Sequence, residues 1–469
     1  MSNQCRKRSK RLTDNAAISW IGQRGNANHK TSWHFIDGVT MISNQPDELT
    51  KADKLERRRP LHLEVAIHAM CPTPLATLRS SWQEFLQSNS TLPLKDAHID
   101  VPSLPDHLQK SCSRASIDSE NTMKLPTDTI TVHTFILSEE EVSTEELEPT
   151  GGDDEWTAGC DSLPLPHKSI DGLWESLIFE PSIKRNLLEY AQSAILFSDK
   201  AVSSHIVNWN RILLLYGPPG TGKTSLCRAL AHKLAIRMGH RFSGGATLLE
   251  IHSHSLFSKW FSTSGKLVST LFQLVRDMVQ DDPSTLVCVL IDEVESLASA
   301  RGNSSGDPSD AMRAVNSLLT SLDRLRTFSN VIVLATTNLT GSVDAAFVDR
   351  VDLKLHIGMP IFEARYEILR SCLNELQRVG IVTSDKGCFM PFPSFKEAHH
   401  QDFASKLMSC AEQADGLSGR SLRRLPLQAH AQFMHGADVV SMDEFLDGLL
   451  LAIEAEHSAS KTMSGDPKN

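Results

Sequence analysis

Several features are missing from this chain, and each absence removes a class of function. No run of eighteen apolar residues occurs, so no membrane-spanning helix is expected. The amino terminus lacks the apolar core of a secretory signal, and its apolar residues show no amphipathic spacing of a mitochondrial transit peptide. The nine cysteines include no CxxC pair and no metal-like spacing. Scattered thiols of this kind suit a reducing, intracellular setting better than a disulfide framework. No HExxH occurs, which excludes a fused metalloprotease of that type. Positive charge is not in excess: 47 Lys and Arg face 57 Asp and Glu, a net charge of −10. That balance argues against a nucleic-acid motor and against direct sequence-specific nucleic-acid binding.

What is present reads as a soluble chain of several domains. Its 469 residues, 40% of them hydrophobic, suffice for two or three cores. Residues 1–60 hold few large apolar residues in any period and are expected to be a mostly disordered tail. Within it, Cys5 to Arg11 is a basic cluster, readable as a nuclear address, a weak nucleic-acid patch or a solvated end. Strict alternation over Leu61–Ile67 predicts a strand, and a second run spans Thr129 to Leu137. With a helical patch near Leu75 to Leu86, residues 61–138 read as a small α+β domain carrying a long insertion. From Glu139 to Glu155 nine of seventeen residues are acidic. Such a run repels itself, so 139–170 is expected to be a linker.

The pattern then changes to buried strands alternating with helices. Apolar runs at 211–216, 247–251, 286–291 and 331–336 predict a parallel sheet with helices on both faces, over 171–360. Residues 361–456 predict helices alone, at 362–379, about 402–414, 418–434 and 441–456. The tail 457–469 is polar and expected to be disordered.

Six short segments carry the chemistry. Gly217-Pro218-Pro219-Gly220-Thr221-Gly222-Lys223-Thr224 satisfies GxxxxGK[ST] between a buried strand and a helix. Its glycines let backbone N–H groups face phosphate oxygens, Lys223 brings charge to the β and γ phosphates, and Thr224 offers a hydroxyl to Mg2+. ATP and Mg2+ are therefore the expected ligands. About seventy residues on, a buried strand ends in Asp292-Glu293. Asp292 is expected in the Mg2+ shell, and Glu293 is expected to polarise the attacking water. A further strand ends at Thr336-Thr337-Asn338, where the Asn338 amide suits the lytic water, or merely a turn. Arg350 closes Asp344–Arg350 and is better placed for a neighbouring subunit's phosphate than for its own. The plainer reading is a surface arginine paired with Asp349 or Asp352. Arg420 follows Gly416-Leu417-Ser418-Gly419 at a helix start, where a cation is unfavourable to the helix dipole, which hints at a nucleotide contact. Lys259, Trp260 and Phe261 suit an exposed polypeptide grip, although from sequence alone the two aromatics read better as core.

Phosphate loop, Asp-Glu strand, Asn strand, trailing Arg and a helical lid with its own Arg, over about 170–455, resemble the AAA+ ATPases. Ile251–Ser262, Ile291–Leu297 and Gly416–Arg420 look more narrowly like the pachytene checkpoint family. The resemblance implies an α/β AAA+ module with an all-helical lid, preceded by a small α+β substrate-recognition domain. It implies a homohexameric ring that uses ATP hydrolysis to remodel HORMA-domain proteins, with the help of a HORMA adaptor. It implies work in meiotic chromosome-axis and recombination checkpoint control, with spindle-checkpoint silencing as a second setting, in the nucleus and also the cytoplasm. Residue by residue it makes Glu293 and Asn338 catalytic, Arg350 a finger acting in trans, and Arg420 a second sensor. It turns Lys259, Trp260 and Phe261 into a pore loop and puts 304–308 in a second one. The basic first sixty residues, the polar stretch 87–127 and the loop-like 380–400 depart from the family pattern. A microtubule-severing or complex-disassembly ATPase is the competing enzyme class. A nucleotide-gated platform with little turnover is the non-enzyme alternative.

Overall fold

A computed structural model describes residues 33–36, 39–42, 61–88, 94–95, 98–99, 101–117, 130–147, 157–203, 205–251, 264–295, 308–338, 343–384, 392 and 402–463. Residues Met1–Pro60 and Leu61–Asn469 are two separate units. In the first, β1 (Trp33–Ile36) and β2 (Val39–Ile42) pair antiparallel, a hairpin inside the stretch expected to lack structure.

The second unit begins with a five-stranded sheet. Its strands are β3 (Leu61–Ile67), β4 (Leu94–Lys95), β5 (His98–Ile99), β6 (Cys112–Ile117) and β7 (Ile130–Ile136), in spatial order β4-β5-β6-β3-β7. β3 lies parallel to β7 and antiparallel to β6. The helix Leu75–Ser88 covers one face, with Leu78, Trp82 and Leu86 buried against Leu63, Val65 and Ala115. The α+β reading of this region thus gains three strands: β4, β5 and β6 lie in sequence read as a loop-like insertion.

A seven-stranded sheet follows. It contains β8 (Ser143–Leu147), β9 (Thr157–Leu165), β10 (Ile212–Tyr216), β11 (Ala246–Ile251), β12 (Leu286–Ile291), β13 (Val331–Thr337) and β14 (Leu353–His356). Their order is β14-β10-β13-β12-β11-β9-β8. The five strands from β14 to β11 are parallel, while β9 and β8 extend the sheet antiparallel. This corrects the linker expected at 139–170: both β8 and β9 belong to the sheet. Charge self-repulsion did not prevent pairing: β8 is the edge strand, joined to the sheet on one side through β9, and its Ser143 and Thr144 are exposed.

The continuous apolar runs follow from burial on both faces. In β12, Val287, Val289 and Ile291 enter one core and Leu286, Cys288 and Leu290 the other. Helices Ser264–Asp281 and Pro308–Leu325 pack together over the first face. Helices Pro181–Asp199 and Lys223–Arg237 cover the second. The helical subdomain comprises Phe362–Arg378, Asp402–Gln413, Gly419–Phe433 and Met442–Met463, around Tyr366, Leu369, Leu407, Leu425 and Phe445. The last helix runs past 457 to Met463, so part of the tail expected to be disordered is helical. Ser441 caps its start: Ser441 Oγ accepts from the Glu444 N–H at 3.4 Å and donates to its carboxylate at 2.9 Å.

Charge ties the amino-terminal sheet to the large sheet's covering helix. Glu64 on β3, 4% exposed, receives Lys233 Nζ at 2.6 Å and Arg237 Nε at 2.9 Å. Lys233 also reaches Glu175 at 2.9 Å. Burial alone would raise the Glu175 carboxyl, but the Lys233 charge and hydrogen bond hold it down at about 2. Beside them Ala66 and Phe135 pack on Ile236, and Arg114 on β6 pairs with Asp171.

Candidate nucleotide site

The site forms where β10, β12 and β13 end side by side. β10 delivers the loop Gly217–Gly222, and the helix Lys223–Arg237 begins directly after it. Gly217 has φ +146°, and a Cβ there would lie 2.1 Å from the Ile357 carbonyl oxygen. No other residue fits without moving β14. Gly220 (φ +76°) and Gly222 (φ +94°) take the left-handed region that lets the loop curl back on itself. Lys223 is 5% exposed. Its ammonium donates to the carbonyls of Gly217 at 2.9 Å and Pro218 at 2.7 Å, across the mouth of the loop. Burial pulls the Lys223 ammonium below the usual lysine range, the carboxylates of Glu295, Asp292 and Glu293 oppose that shift, and Arg420 adds to it.

Thr224 Oγ1 donates to Asp292 Oδ1 at 2.9 Å. Thr336 Oγ1 donates to the same carboxylate oxygen. One hydroxyl and one carboxylate from two elements are hard oxygen donors, the small set Mg2+ uses when phosphate and water complete its shell. The next residue, Glu293, sits at φ +54°, a conformation that a β-carbon disfavours. Its N–H donates to Thr336 Oγ1 at 3.2 Å. Asn338 Nδ2 approaches Glu293 Oε1 at 3.4 Å, and the Asn338 N–H donates to Glu295 Oε1 at 2.9 Å. The structure therefore brings Lys223, Thr224, Asp292, Glu293 and Asn338 together.

The lid touches the same loop. The Arg420 N–H donates to the Gly220 carbonyl at 3.0 Å. A Cβ on Gly220 would stand 2.7 Å from Ser418 Oγ, so the glycine makes this approach possible. Ser418 caps the helix by accepting from the Ser421 N–H at 3.2 Å. Beside the contact lies a cleft of about 400 Å3, lined by Phe179, Ile183, Ile357, Gly358, Ala364 and Ile368. An apolar slot adjoining a glycine-rich turn suits a planar base with a phosphate tail. Loop, oxygen donors and slot all fit a magnesium nucleotide.

Arg350 lies elsewhere. It ends the helix Ala345–Arg350, which Asp344 caps and Phe347 anchors. Its guanidinium forks onto Asp323 at 2.8 Å through both Nε and Nη2 and donates to the Ala346 carbonyl. It bonds neither Asp349 nor Asp352; the Asp352 carboxylate instead accepts from the N–H groups of Asn210 and Ile212. Lys259, Trp260 and Phe261, and residues 304–307, lie outside the described residues.

Sequence reasoning passed over Thr336 as a ligand of Asp292 and gave Glu295 no role. It also missed β14, whose Leu353-Lys354-Leu355-His356 alternation was a usable signal.

Comparison with known proteins agrees with this geometry. Residues 213–359 match the model of the ATPase family associated with various cellular activities (AAA). Residues 362–457 match that of the TRIP13-like AAA+ ATPase lid C-terminal domain. A pachytene checkpoint protein 2 homolog from Oryza sativa subsp. indica is 41% identical over 90% of this chain and 93% of its own length. The Homo sapiens homolog is 42% identical over 78% of this chain and 85% of its own. The solved structure of C. elegans PCH-2 superposes with a TM-score of 0.69 at 32% identity, covering 85% of this chain and 100% of that one. Among the described residues no helix is long and apolar enough to cross a membrane. Matched through both its ATPase module and its lid, the chain is an ATPase and belongs to the pachytene checkpoint protein 2 family.

Proposed function

We propose that this ATPase opens closed HORMA-domain proteins, working as a homohexamer in the nucleus during meiotic axis and checkpoint control. The observation that carries the reading is the joint placement of Asp292, Glu293 and Asn338 at one sheet edge, against the phosphate loop and the lid. In this reading the loop and Lys223 hold the ATP phosphates, and Thr224 and Asp292 hold Mg2+, which neutralises charge developing on the transferred phosphoryl group. Glu293 takes a proton from water, and Asn338 orients the Glu293 carboxylate. The Arg420 guanidinium reaches back to the γ-phosphate and lets the lid sense the nucleotide, while its backbone N–H rests on the Gly220 carbonyl. Arg350 serves the next subunit, and Asp323 parks it between turnovers. Trp260 and Phe261 grip the client's terminus. A HORMA adaptor presents the client, and the same cycle silences the spindle checkpoint in the cytoplasm and nucleus of dividing cells.

The test uses a purified HORMA-domain protein closed around a fluorescent peptide. Wild-type chain with ATP should release the peptide, read as a fall in anisotropy. Glu293→Gln should keep ATP bound without turnover and release nothing. Trp260→Ala should hydrolyse ATP and release nothing. Peptide release that ignores Glu293→Gln would remove hydrolysis from the mechanism. No release by wild type, with or without an adaptor, would remove the HORMA client.

A further inference from the structure

Glu295 is a buried carboxylate in the site that the assignments above leave without work. It is 8% exposed and follows Glu293 by one residue, Val294, where the chain turns out of β12. An acid so deeply buried requires a partner to offset lost hydration. Its Oε1 accepts the backbone N–H of Asn338 at 2.9 Å.

The contact closes a ladder between two strand ends. β12 and β13 are parallel, in register from Val287↔Val331 to Ile291↔Ala335. Beyond Ile291 regular pairing stops, because Glu293 adopts positive φ. Three other bonds replace it. The Glu293 N–H reaches Thr336 Oγ1 at 3.2 Å, the Val294 N–H reaches the Thr336 carbonyl at 2.9 Å, and the Glu295 carboxylate takes the Asn338 N–H. The last one fixes the backbone of the residue whose side-chain amide lies 3.4 Å from Glu293 Oε1. Asn338 directly follows β13, which ends at Thr337. A charge-assisted bond from a backbone N–H to a carboxylate is among the stronger restraints available.

We infer that Glu295 is a positioning residue for ATP hydrolysis: it clamps the Asn338 backbone so that the Asn338 amide stays at the Glu293 carboxylate. The inference rests on the reading of Glu293 and Asn338 given above. It concerns alignment and not nucleotide binding, so it separates kcat from affinity.

The experiment measures steady-state ATP hydrolysis and binding of a fluorescent ATP analogue for Glu295→Ala, Glu295→Gln, Asn338→Ala and the double variant Glu295→Ala/Asn338→Ala, all in the full chain. Loss of alignment at about the 1 Å scale lowers kcat by about 10- to 100-fold, and Glu295→Ala should fall in that range with analogue Kd within about twofold of wild type. Glu295→Gln keeps an oxygen acceptor for the N–H and should recover most of the rate. The double variant should be no slower than Asn338→Ala alone, since residues acting as one unit do not add. If Glu295→Gln is as slow as Glu295→Ala, or if the two losses multiply, Glu295 acts by some route other than Asn338. A weakened analogue Kd in both Glu295 variants would make it a binding or folding residue. If Asn338→Ala turns over like wild type, the reading of Asn338 falls with it, whereas a slow Asn338→Ala beside a normal Glu295→Ala overturns only the clamp.

Discussion

Gly220 is the smallest residue with the largest consequence at the site. It combines positive φ with a Cβ position only 2.7 Å from Ser418 Oγ. Gly220→Ala should push the lid off the phosphate loop while leaving both cores intact. Hydrolysis is expected to fall at least tenfold, with a melting temperature within a few degrees of wild type; unchanged turnover would show that the lid contact is incidental. His133 offers a second test. Burial, reinforced by the charges of His62, Arg237, His240 and Arg79, holds its imidazole down at about 3. The folded pKa lies below the unfolded value, so the unfolded chain binds the proton first. Stability is complete above about pH 6.5 and drains away as pH falls toward 3. From pH 7.5 to 5.5 this site should cost about 1 kcal/mol, and His133→Gln should flatten that part of a denaturant-midpoint profile. The phosphate loop was legible at this scale, because its chemistry is written in one contiguous stretch. Thr336 and Glu295 were not, because each acquires its partner, 44 and 43 residues away in the chain, only when two strands finish side by side.

At the scale of elements, the helix Lys223–Arg237 matters most. Its first turn serves the phosphate loop, and its last turn holds Lys233 and Arg237 against Glu64. Fifteen residues span roughly 22 Å. Removing one partner of a buried ion network leaves the others desolvated and unbalanced, so Glu64→Ala should cost about 3–5 kcal/mol in urea unfolding. Replacing the group with apolar residues, as in Glu64→Leu with Lys233→Met and Arg237→Leu, should restore a large part of it. Failure of the single variant to shift the midpoint would show that the ions are solvated in solution. Periodicity predicted the central strands and the first three lid helices to within a residue or two, since each buries a clear face, whereas the last helix outran its expected end by seven residues. Periodicity failed at the sheet edge. The acidic run over 143–147 looks like a linker in sequence, yet it pairs as β8 at the edge of the sheet. Alternation over Cys112–Ile117 was blurred by the register shift opposite Ala66/Ile67, so β6 was passed over.

For the whole molecule, the question is whether one subunit completes another's site. Arg350 bonds Asp323 and no phosphate-loop residue within its own chain. Arg350→Ala subunits keep an intact pocket but lack the finger, and Glu293→Gln subunits keep the finger but lack the base. Each alone should be nearly inactive, because such a finger is worth about 1,000-fold or more. Mixed rings of the two should regain a measurable share of turnover, since fingers from one kind can enter pockets of the other. Mixing without recovery, in rings shown to be mixed by mass photometry, would place Arg350 outside the reaction. The family resemblance was visible in sequence; the partner of Arg350 was not, because Asp323 lies 27 residues earlier, on another helix.

The bond between Glu64 and the helix that starts at Lys223 has a consequence for transplantation. An amino-terminal five-stranded domain taken from a relative brings its own β3 residue to sit above Lys233 and Arg237. If that residue is neutral or basic, the hybrid buries two uncompensated cations beneath the grafted sheet, and the cost falls on the motor as well as on the graft. Compatible donors are therefore identifiable before any cloning, by the acid at the position of Glu64 read together with the two bases at the far end of the recipient's helix.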